Sequence, residues 1–397
     1  MEFYLQYGWG MKGLCRRLAT AWEQSTTILS PRDLDDDELV TLSSELRSQG
    51  GSVLLDPQFY LPRADHKRLT KHCYWPADYD TFDFAGGGCP DMVRSLVELN
   101  SRMGTAGIIL PGLRADPVDD VWLAYQQAFR DAARSMSDVP LIATVCLSAE
   151  ATRSSEQIGL VMTQAEQIPV SGYYLVTERP SRSFMVDDPQ WVANTLDLTA
   201  SLRRLGTKVI IGYSNQQQLI MACAGANAIA TGTHKNVRNF TPNKFKASDG
   251  WQQRRRAVWY YDPDTFSEYP LSFLDIGFRA GLKDELLSSQ QMSLDVSMLD
   301  VPQPSASGWN LSNAGVHFLT VLRAQARSVV KDTFDETVRA YRMLLDLAEN
   351  KLERYHQHGV VGRDRDFEDA VHANRSALII LENTHGPALR RYWNDLV

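Results

Sequence analysis

Residues 208–240 read KVIIGYSNQQQLIMACAGANAIATGTHKNVRNF, and this stretch decides the fold of the chain. Residues 208–213 and 227–231 are short apolar runs, which predict two buried strands. The segment 216–224 between them predicts the helix of a strand–helix–strand unit. The second strand leads into a group of polar side chains, namely Thr233, His234, Lys235, Asn236, Arg238 and Asn239. Donors at the carboxyl end of a buried strand are typical of a ligand site in an α/β barrel.

The same alternation of strand and helix recurs through residues 1–245. Further apolar runs of strand type lie at residues 3–7, 26–29, 52–55, 106–110, 141–147 and 172–176. Together with the two strands above they make eight, and helical patterns separate most of them. This order predicts an α/β fold, a (β/α)8 barrel of the TIM type, whose usual size is about 250 residues. A doubly wound open sheet is the alternative.

Two segments depart from this alternation. Residues 61–88 form a long insertion after the third strand, in which basic and aromatic side chains interleave. That composition suits phosphates and stacked bases, and a solvated loop attached through its aromatic side chains is the alternative. Residues 246–397 are mainly helical in pattern and predict a C-terminal cap, or an element through which a homodimer or a partner protein binds. Its basic triplet, which can contact a nucleic-acid backbone, is Arg254, Arg255 and Arg256.

The composition excludes several classes of protein. A net charge of −7 over 397 residues excludes a globally basic nucleic-acid binder, although not a local basic face. Five cysteines without CxxC spacing and dispersed histidines lead us to expect neither a disulfide framework nor a metal site. No Walker A or GxSxG motif occurs, and we expect no cofactor. The absence of a long apolar run and of a signal-peptide pattern predicts a cytoplasmic protein without a membrane span.

Candidate functional side chains stand at the strand ends, where barrels carry their sites. Asp56 follows the third strand directly, and a carboxylate there can act as base, nucleophile or acceptor for a nucleobase, with turn capping as the alternative. Glu178 is another carboxylate directly after a strand, and the two can divide the roles of acid and base. His234, Lys235 and Arg238 follow the last strand, where barrel enzymes often bind phosphate.

Five short stretches form a pattern along the chain, namely LLDPQF at 54–59, SGYYLVTE at 171–178, IGYSNQQQL at 211–219, GANAIATGTHKNVRN at 225–239 and Asn310-Leu311. In this order they resemble the tRNA-guanine transglycosylase superfamily, (β/α)8 enzymes that exchange guanine for a 7-deazaguanine base. The resemblance implies a pentosyltransferase that binds such a base and transfers it on tRNA, another nucleic acid or a nucleotide-derived substrate. Divergent members of this superfamily also occur in bacterial nucleic-acid modification and anti-phage systems.

The resemblance also implies roles for single residues. Asp56 would bind the base and serve in proton transfer, with Gln58, Phe59 and Tyr174 beside the base. The family's nucleophilic aspartate falls on Ala230, and the family's acidic position after the fourth strand has no carboxylate here. No cysteine follows residue 223 to supply the family's zinc site.

Three alternatives therefore stay open at the level of sequence. Asp56 or Glu178 can take the missing nucleophilic role in a transglycosylase-like enzyme. The protein can instead be a non-catalytic module that binds a nucleobase, an RNA or a partner protein. The third alternative is a phosphate-ligand barrel enzyme of the aldolase or isomerase kind, with Lys235 as the amine that forms a Schiff base.

Overall fold

A nine-stranded parallel sheet lies at the centre of the protein, of which the computed structural model describes residues 1–77, 79, 84–180, 184–247, 257–288 and 293–396. The strands are β1 (Glu2–Gln6), β2 (Thr26–Leu29), β3 (Ser52–Leu55), β4 (Ile108–Ile109), β5 (Arg114–Ala115), β6 (Leu141–Leu147), β7 (Gly172–Thr177), β8 (Lys208–Ile211), β9 (Ala228–Thr231), β10 (Trp259–Asp262) and β11 (Ser267–Pro270). The α-helices are α1 (Lys12–Ala21), α2 (Asp36–Ser48), α3 (Cys89–Met103), α4 (Asp120–Met136), α5 (Ala149–Arg153), α6 (Ser155–Gln167), α7 (Pro189–Arg204), α8 (Leu271–Arg279), α9 (Lys283–Leu286), α10 (Leu311–Val329), α11 (Phe334–Gln357), α12 (Glu368–Thr384) and α13 (Gly386–Leu396).

Eight strands follow one another around the sheet in the order β3, β2, β1, β9, β8, β7, β6, β4, and neighbours run parallel. The two ends of this order meet, because the N–H of Ala106 just before β4 donates to the carbonyl oxygen of Val53 in β3 over 3.0 Å. The sheet is thus a nearly closed barrel. The (β/α)8 prediction is confirmed, and the doubly wound alternative is wrong.

The fourth barrel strand is shorter than predicted and is split in two. β4 pairs with the start of β6, where Ile109 lies opposite Ile142, and β5 pairs with its end, where Arg114 lies opposite Cys146. Between Ile109 and Arg114 the split fourth strand contains one residue more than β6 does between their partners, and this extra residue makes a bulge. Within the bulge, the backbone of Gly112 approaches β6 so closely that a Cβ atom would lie 2.7 Å from a backbone oxygen.

Several of the outer helices begin at side chains that cap them. Asp35 and Glu38 form a capping box at the start of α2, in which each side chain accepts from the other residue's backbone N–H. Asp119 caps α4 and Asp188 caps α7 in the same position. Such caps satisfy the free N–H groups of the first helical turn. They therefore fix where each loop leaves the carboxyl end of its strand.

The helix predicted over residues 216–224 is present as a tighter 3-10 helix, Gln216–Ala224. Asn215 caps it and Gly225 ends it at a φ of 72°. All nine of its side chains are buried, because α10, α11 and α12 pack on it from outside. The seventh βα unit is therefore covered by the C-terminal region.

The C-terminal region combines helices with an antiparallel hairpin that was not predicted. β10 and β11 pair from Trp259 to Pro270, and four residues per strand are too few for a clear alternating pattern. Helix α12 packs along α7, and Leu196 and Leu378 belong to one continuous hydrophobic core. None of the helices that the structure describes combines the length and the apolar surface that a bilayer crossing requires.

Candidate active site at the carboxyl end of the barrel

Asp56 lies inside the barrel directly after β3, and its side chain is 0% exposed. Its Oδ1 atom accepts hydrogen bonds from the backbone N–H of Gln58 at 3.0 Å and from the hydroxyl of Tyr60 at 2.9 Å. Its Oδ2 atom accepts from the hydroxyls of Tyr213 at 2.9 Å and of Tyr174 at 3.4 Å. One backbone group and three tyrosines from separate segments thus hold the carboxylate.

Two neighbours of Asp56 have an unusual backbone. Gln58 has a φ of 53° and Tyr213 a φ of 51°, which lie in the left-handed region that costs a non-glycine residue roughly 1–2 kcal/mol. The Nε2 atom of Gln58 donates to the hydroxyl of Tyr213 at 3.1 Å and to that of Ser30 at 3.0 Å. The two strained residues therefore support each other. Backbone strain of this kind clusters at functional sites.

Four aromatic rings, which we call the aromatic plug, close the carboxyl end of the barrel over Asp56: Tyr60, Tyr213, Phe240 and Phe245. The centroid of the Tyr60 ring lies 5.0 Å from those of Phe240 and Phe245, and the ring of Tyr213 lies 5.5 Å from that of Phe240. Edge-to-face contacts at these distances are favourable. The plug separates Asp56 from the solvent.

Burial raises the pKa of Asp56 to about 6, although hydrogen bonds from Tyr60, Gln58, Tyr213 and Tyr174 act in the opposite direction. Burial and then the charge of Asp56 raise the pKa values of these three tyrosines well above 10, so that their hydroxyls remain donors. A carboxyl group that titrates near neutral pH is suited to proton transfer.

The residues expected beside a base divide between two layers of the protein. Gln58 and Tyr174 contact Asp56, and the Tyr174 hydroxyl also donates to Oε1 of Gln6 at 2.9 Å. Phe59 belongs to the core between the strands and the outer helices, where its ring packs edge-on against that of Phe129 at 6.1 Å. The structure thus brings together all of the predicted set except Phe59.

Glu178 follows β7 and is held by an arginine from the split fourth strand. The Nε atom of Arg114 donates to Oε2 of Glu178 at 2.6 Å, and the same guanidinium contacts Asp116 at 2.7 Å. Burial raises the pKa of Glu178, while Arg114 acts to lower it. Glu178 lies at the rim of a cavity, whereas Asp56 lies beneath the plug, so the two carboxylates occupy different compartments.

That cavity, which we call the mouth cavity, has a volume of about 790 Å³ and opens at the carboxyl end of the strands. Its charged lining residues are Arg114, Glu178, Arg179, Lys235, Lys244 and Lys246. Five of these six residues are of a basic type, although the whole chain has a net charge of −7. A local positive field of this kind attracts anions.

The mouth cavity lies directly above the aromatic plug, because alternate residues of the same segments build both. Leu61 lines the cavity, while the preceding Tyr60 belongs to the plug. Lys244 and Lys246 likewise line the cavity on either side of Phe245 in the sequence, which packs against Tyr60. A ligand in the mouth cavity would therefore rest on the plug.

Arg179 and Lys244 are cavity residues that the sequence reasoning missed. Arg179 is 7% exposed, its Nη2 atom donates to the carbonyl oxygen of Arg238 at 2.9 Å, and its buried Nη1 atom has no hydrogen-bond partner among the described residues. The Nζ atom of Lys244 donates to the carbonyl oxygens of Asn236, at 3.1 Å, and Asn239. The position of Arg179 in the sequence could have indicated it, since Arg179 follows Glu178 at a strand end.

A second, aromatic cavity of about 330 Å³ adjoins the mouth cavity and shares Lys235 and Asn236 with it. The barrel loops form one side and the C-terminal region the other. Its aromatic lining residues are Trp9, Trp259, Tyr261 and Phe318. At its floor, Arg238 contacts Glu268 at 3.0 Å, and Arg365 contacts the same carboxylate at 2.6 Å. Burial alone would raise the pKa of Glu268, but the two arginines lower it to about 2.

The residues predicted to bind phosphate have three different environments. His234 and Lys235 line the aromatic cavity, and Lys235 is exposed and paired with Asp364 at 3.0 Å. Arg238 is only 1% exposed, and its guanidinium lies 3.6 Å from the ring centroid of Phe318. The predicted basic triplet at 254–256 lies outside the described residues.

Three side chains with metal-ligating groups come within 4.8 Å of one another, namely His356, Asp366 and Glu368. Both nitrogens of the imidazole already face carboxylates, since Nε2 lies 2.9 Å from Asp366 and Nδ1 lies 3.4 Å from Glu368. Asp366 also accepts from the N–H of Gly362 at 2.7 Å. A metal ion would have to displace these contacts, and the group is better described as a junction between α11 and α12.

No protein-family model and no curated protein matches the sequence. Solved structures with a similar fold include thiamine phosphate pyrophosphorylase from Pyrococcus furiosus, at 10% identity and a TM-score of 0.31 over 58% of this chain and 84% of that one. Deoxyribose phosphate aldolase from Aeropyrum pernix is 14% identical, with a TM-score of 0.28 over 56% of this chain and 91% of the aldolase. The L-Ala-D/L-Glu epimerase from Bacillus subtilis is 11% identical, with a TM-score of 0.32 over 66% and 59%. Similarities this low identify neither a family nor an activity.

Proposed function

We propose that the mouth cavity binds a phosphorylated ligand and that the protein is a phosphate-ligand barrel enzyme of the lyase or isomerase kind. The observation that carries this proposal is the convergence of Arg179 and Lys246 on one cavity at the carboxyl end of the barrel. Barrel enzymes build their active sites at this end, and phosphate sites there commonly use loops after the last strands.

The charges in the cavity are unevenly compensated. Arg114 is paired with Glu178, and Lys235 is paired with Asp364. Among the described residues, no carboxylate pairs with Arg179 or Lys246. A guanidinium does not lose its proton in proteins, so the buried Arg179 keeps its charge. A phosphate group would supply the missing counter-charge and an acceptor for its free N–H group.

Calorimetric titration with pyrophosphate tests this proposal. A hydrogen bond to a charged group contributes roughly 1.5–3 kcal/mol, so Arg179→Met should weaken binding by about 10- to 100-fold. Arg94→Met is the matched control, because Arg94 is an exposed arginine of α3 paired with Asp91. Equal affinities of the wild type and Arg179→Met would rule out the mouth cavity as the site.

A second candidate function is binding of a guanine or 7-deazaguanine base beside Asp56, with base exchange on a nucleic acid as the activity. The observation that favours it is the meeting of Asp56, Gln58 and Tyr174 under rings that can stack on a base. A base could reach the carboxylate only after Tyr60 releases its hydrogen bonds to both oxygens.

Incorporation of labelled guanine into tRNA, measured together with binding of guanine and 7-deazaguanine, tests the second candidate. Asp56→Asn should abolish incorporation and base binding. Both oxygens of the carboxylate accept hydrogen bonds, whereas an amide accepts only through its oxygen and donates through its nitrogen. Pyrophosphate binding should be unchanged in this variant. Tight base binding that survives in Asp56→Asn would place the base elsewhere.

A further inference from the structure

We propose that the amine of Lys244 forms an imine with the carbonyl carbon of a phosphorylated aldehyde or ketone held in the mouth cavity. This inference rests on the proposed function, because phosphate contacts would hold the carbonyl group against the amine. It names the ligand class as phosphorylated carbonyl compounds. An imine withdraws electrons from the neighbouring carbon, which suits cleavage or isomerisation at that carbon.

The surroundings of Lys244 favour its neutral form. Burial lowers the pKa of Lys244 well below 10.5, and the charges of Arg32, Arg179 and Lys235 lower it further. No carboxylate of the described residues forms an ion pair with it. Because only the neutral amine has a lone pair, this environment increases the nucleophilic fraction at neutral pH.

The hydrogen bonds of Lys244 also match a neutral amine. Its Nζ atom contacts two backbone carbonyl oxygens, those of Asn236 and Asn239. A neutral amine has two N–H bonds, which these two acceptors use, and one lone pair, which remains for an electrophile. An ammonium group would have a third N–H without a partner among the described residues. The carbonyl contacts thus anchor the amine at the cavity wall.

The other lysines of the cavity lack these features. Lys235 is exposed, and its nitrogen already contacts the carboxylate of Asp364 at 3.0 Å. Lys246 is exposed to solvent. Lys235, the Schiff-base candidate from the sequence, is therefore the poorer nucleophile, and Lys244 replaces it in this role.

The step balances with groups that line the same cavity. The Lys244 nitrogen attacks the carbonyl carbon, a C–N bond forms as the C=O π bond breaks, and one proton passes from the nitrogen to the oxygen to give a carbinolamine. The oxygen then takes a second proton and leaves as water as the C–O bond breaks, and the nitrogen releases its second N–H proton to give the imine. The products are an imine and one water molecule, without an oxidant or a reductant. Glu178, whose pKa is raised by burial, is the carboxyl group in the cavity that can supply and recover the proton.

Pyridoxal 5′-phosphate is a suitable probe, because it carries both an aldehyde and a phosphate. The full-length protein is incubated with the probe and reduced with borohydride, and the labelled lysines are mapped by peptide mass spectrometry. We expect Lys244 to be half-labelled at a probe concentration at least about tenfold lower than any exposed lysine requires. The fraction of a lysine amine that is neutral rises about tenfold when its pKa falls by one unit. Pyridoxal, which lacks the phosphate, should need a higher concentration to label Lys244, because no phosphate contacts hold it in the cavity, and pyrophosphate should protect Lys244 from the phosphorylated probe.

Two variants complete the experiment. Lys244→Arg keeps donors for both carbonyl oxygens but cannot form an imine, and it should lose the preferred adduct while it still binds pyrophosphate. Lys208→Arg changes an exposed lysine at the other end of the barrel and should be labelled like the wild type. Labelling spread evenly over Lys235, Lys246 and other exposed lysines would overturn the imine. If pyrophosphate still binds in that case, the phosphate site stands; if neither ligand binds, both proposals fail.

Discussion

Replacing Asp56 by asparagine should change how the stability of the protein depends on pH. The carboxyl group is fully buried, and burial raises its pKa from 3.8 to about 6. A group with a raised pKa in the folded state stabilises that state below the pKa of the unfolded chain. This stabilisation is lost as the pH rises through the folded pKa, because the buried carboxyl group then ionises without the solvation that the unfolded chain has.

The size of the effect follows from the two pKa values. The contribution of Asp56 to the free energy of unfolding differs by about 3 kcal/mol between low pH, where the group is protonated in both states, and high pH, where it is ionised in both. Roughly 2 kcal/mol of this change falls between pH 4 and pH 7. The free energy of unfolding of the wild type, measured relative to Asp56→Asn, should therefore fall by that amount over this interval. For 397 residues with an unfolding entropy of about 2.1 cal/mol/K each, the relative Tm should fall by roughly 2 to 3 °C.

Thermal unfolding of both proteins, followed by circular dichroism at several pH values, measures this difference directly. Asp138→Asn is the control, because Asp138 is exposed in a loop and should show no such trend. Parallel Tm curves for the wild type and Asp56→Asn between pH 4 and pH 7 would refute the reasoning. They would mean that Asp56 is solvated rather than sealed by the aromatic plug.

Two further predictions concern the neighbours of the site. Glu268→Gln should lower the free energy of unfolding by roughly 3–5 kcal/mol, because it leaves Arg238 buried without its carboxylate. Unfolding in denaturant measures this free energy, and a decrease of less than about 1 kcal/mol would contradict the importance of the ion pair. The double variant Glu268→Gln/Arg238→Met should be more stable than the single one. Gly212→Ala should push away Tyr174, since a Cβ atom would lie 2.5 Å from its ring. Asp56 then loses a donor that lowers its pKa, so the pH of its stability transition should rise, and an unchanged transition would count against this contact.

The barrel could be predicted because its signals are local. Each predicted strand is a short apolar run followed by polar residues, and several of the following helices begin at a capping side chain such as Asp35 or Asp119. The same local reasoning placed Asp56 at a strand end. It could not show that Asp56 is sealed, because Tyr213, which donates to it, lies 157 residues further along the chain.

The roles of the basic residues were harder to predict, because a cation's function depends on its partner. Arg238 stands in the polar tail of β9, but a carboxylate of the unpredicted hairpin, Glu268, neutralises it. Lys235 and Lys244 belong to the same stretch of polar sequence. Their difference arises from the exposure of Lys235 and from the cations that surround Lys244, which come from distant segments such as the loop with Arg32.

A crystal structure of the protein with bound pyrophosphate tests the mouth cavity most directly. We expect difference density inside the cavity, within hydrogen-bond distance of the Arg179 guanidinium and of the Lys246 ammonium group, and no such density in Arg179→Met. Pyrophosphate found only on lysines outside the cavity, or bound equally well in Arg179→Met, would contradict the proposal that this cavity is the phosphate site.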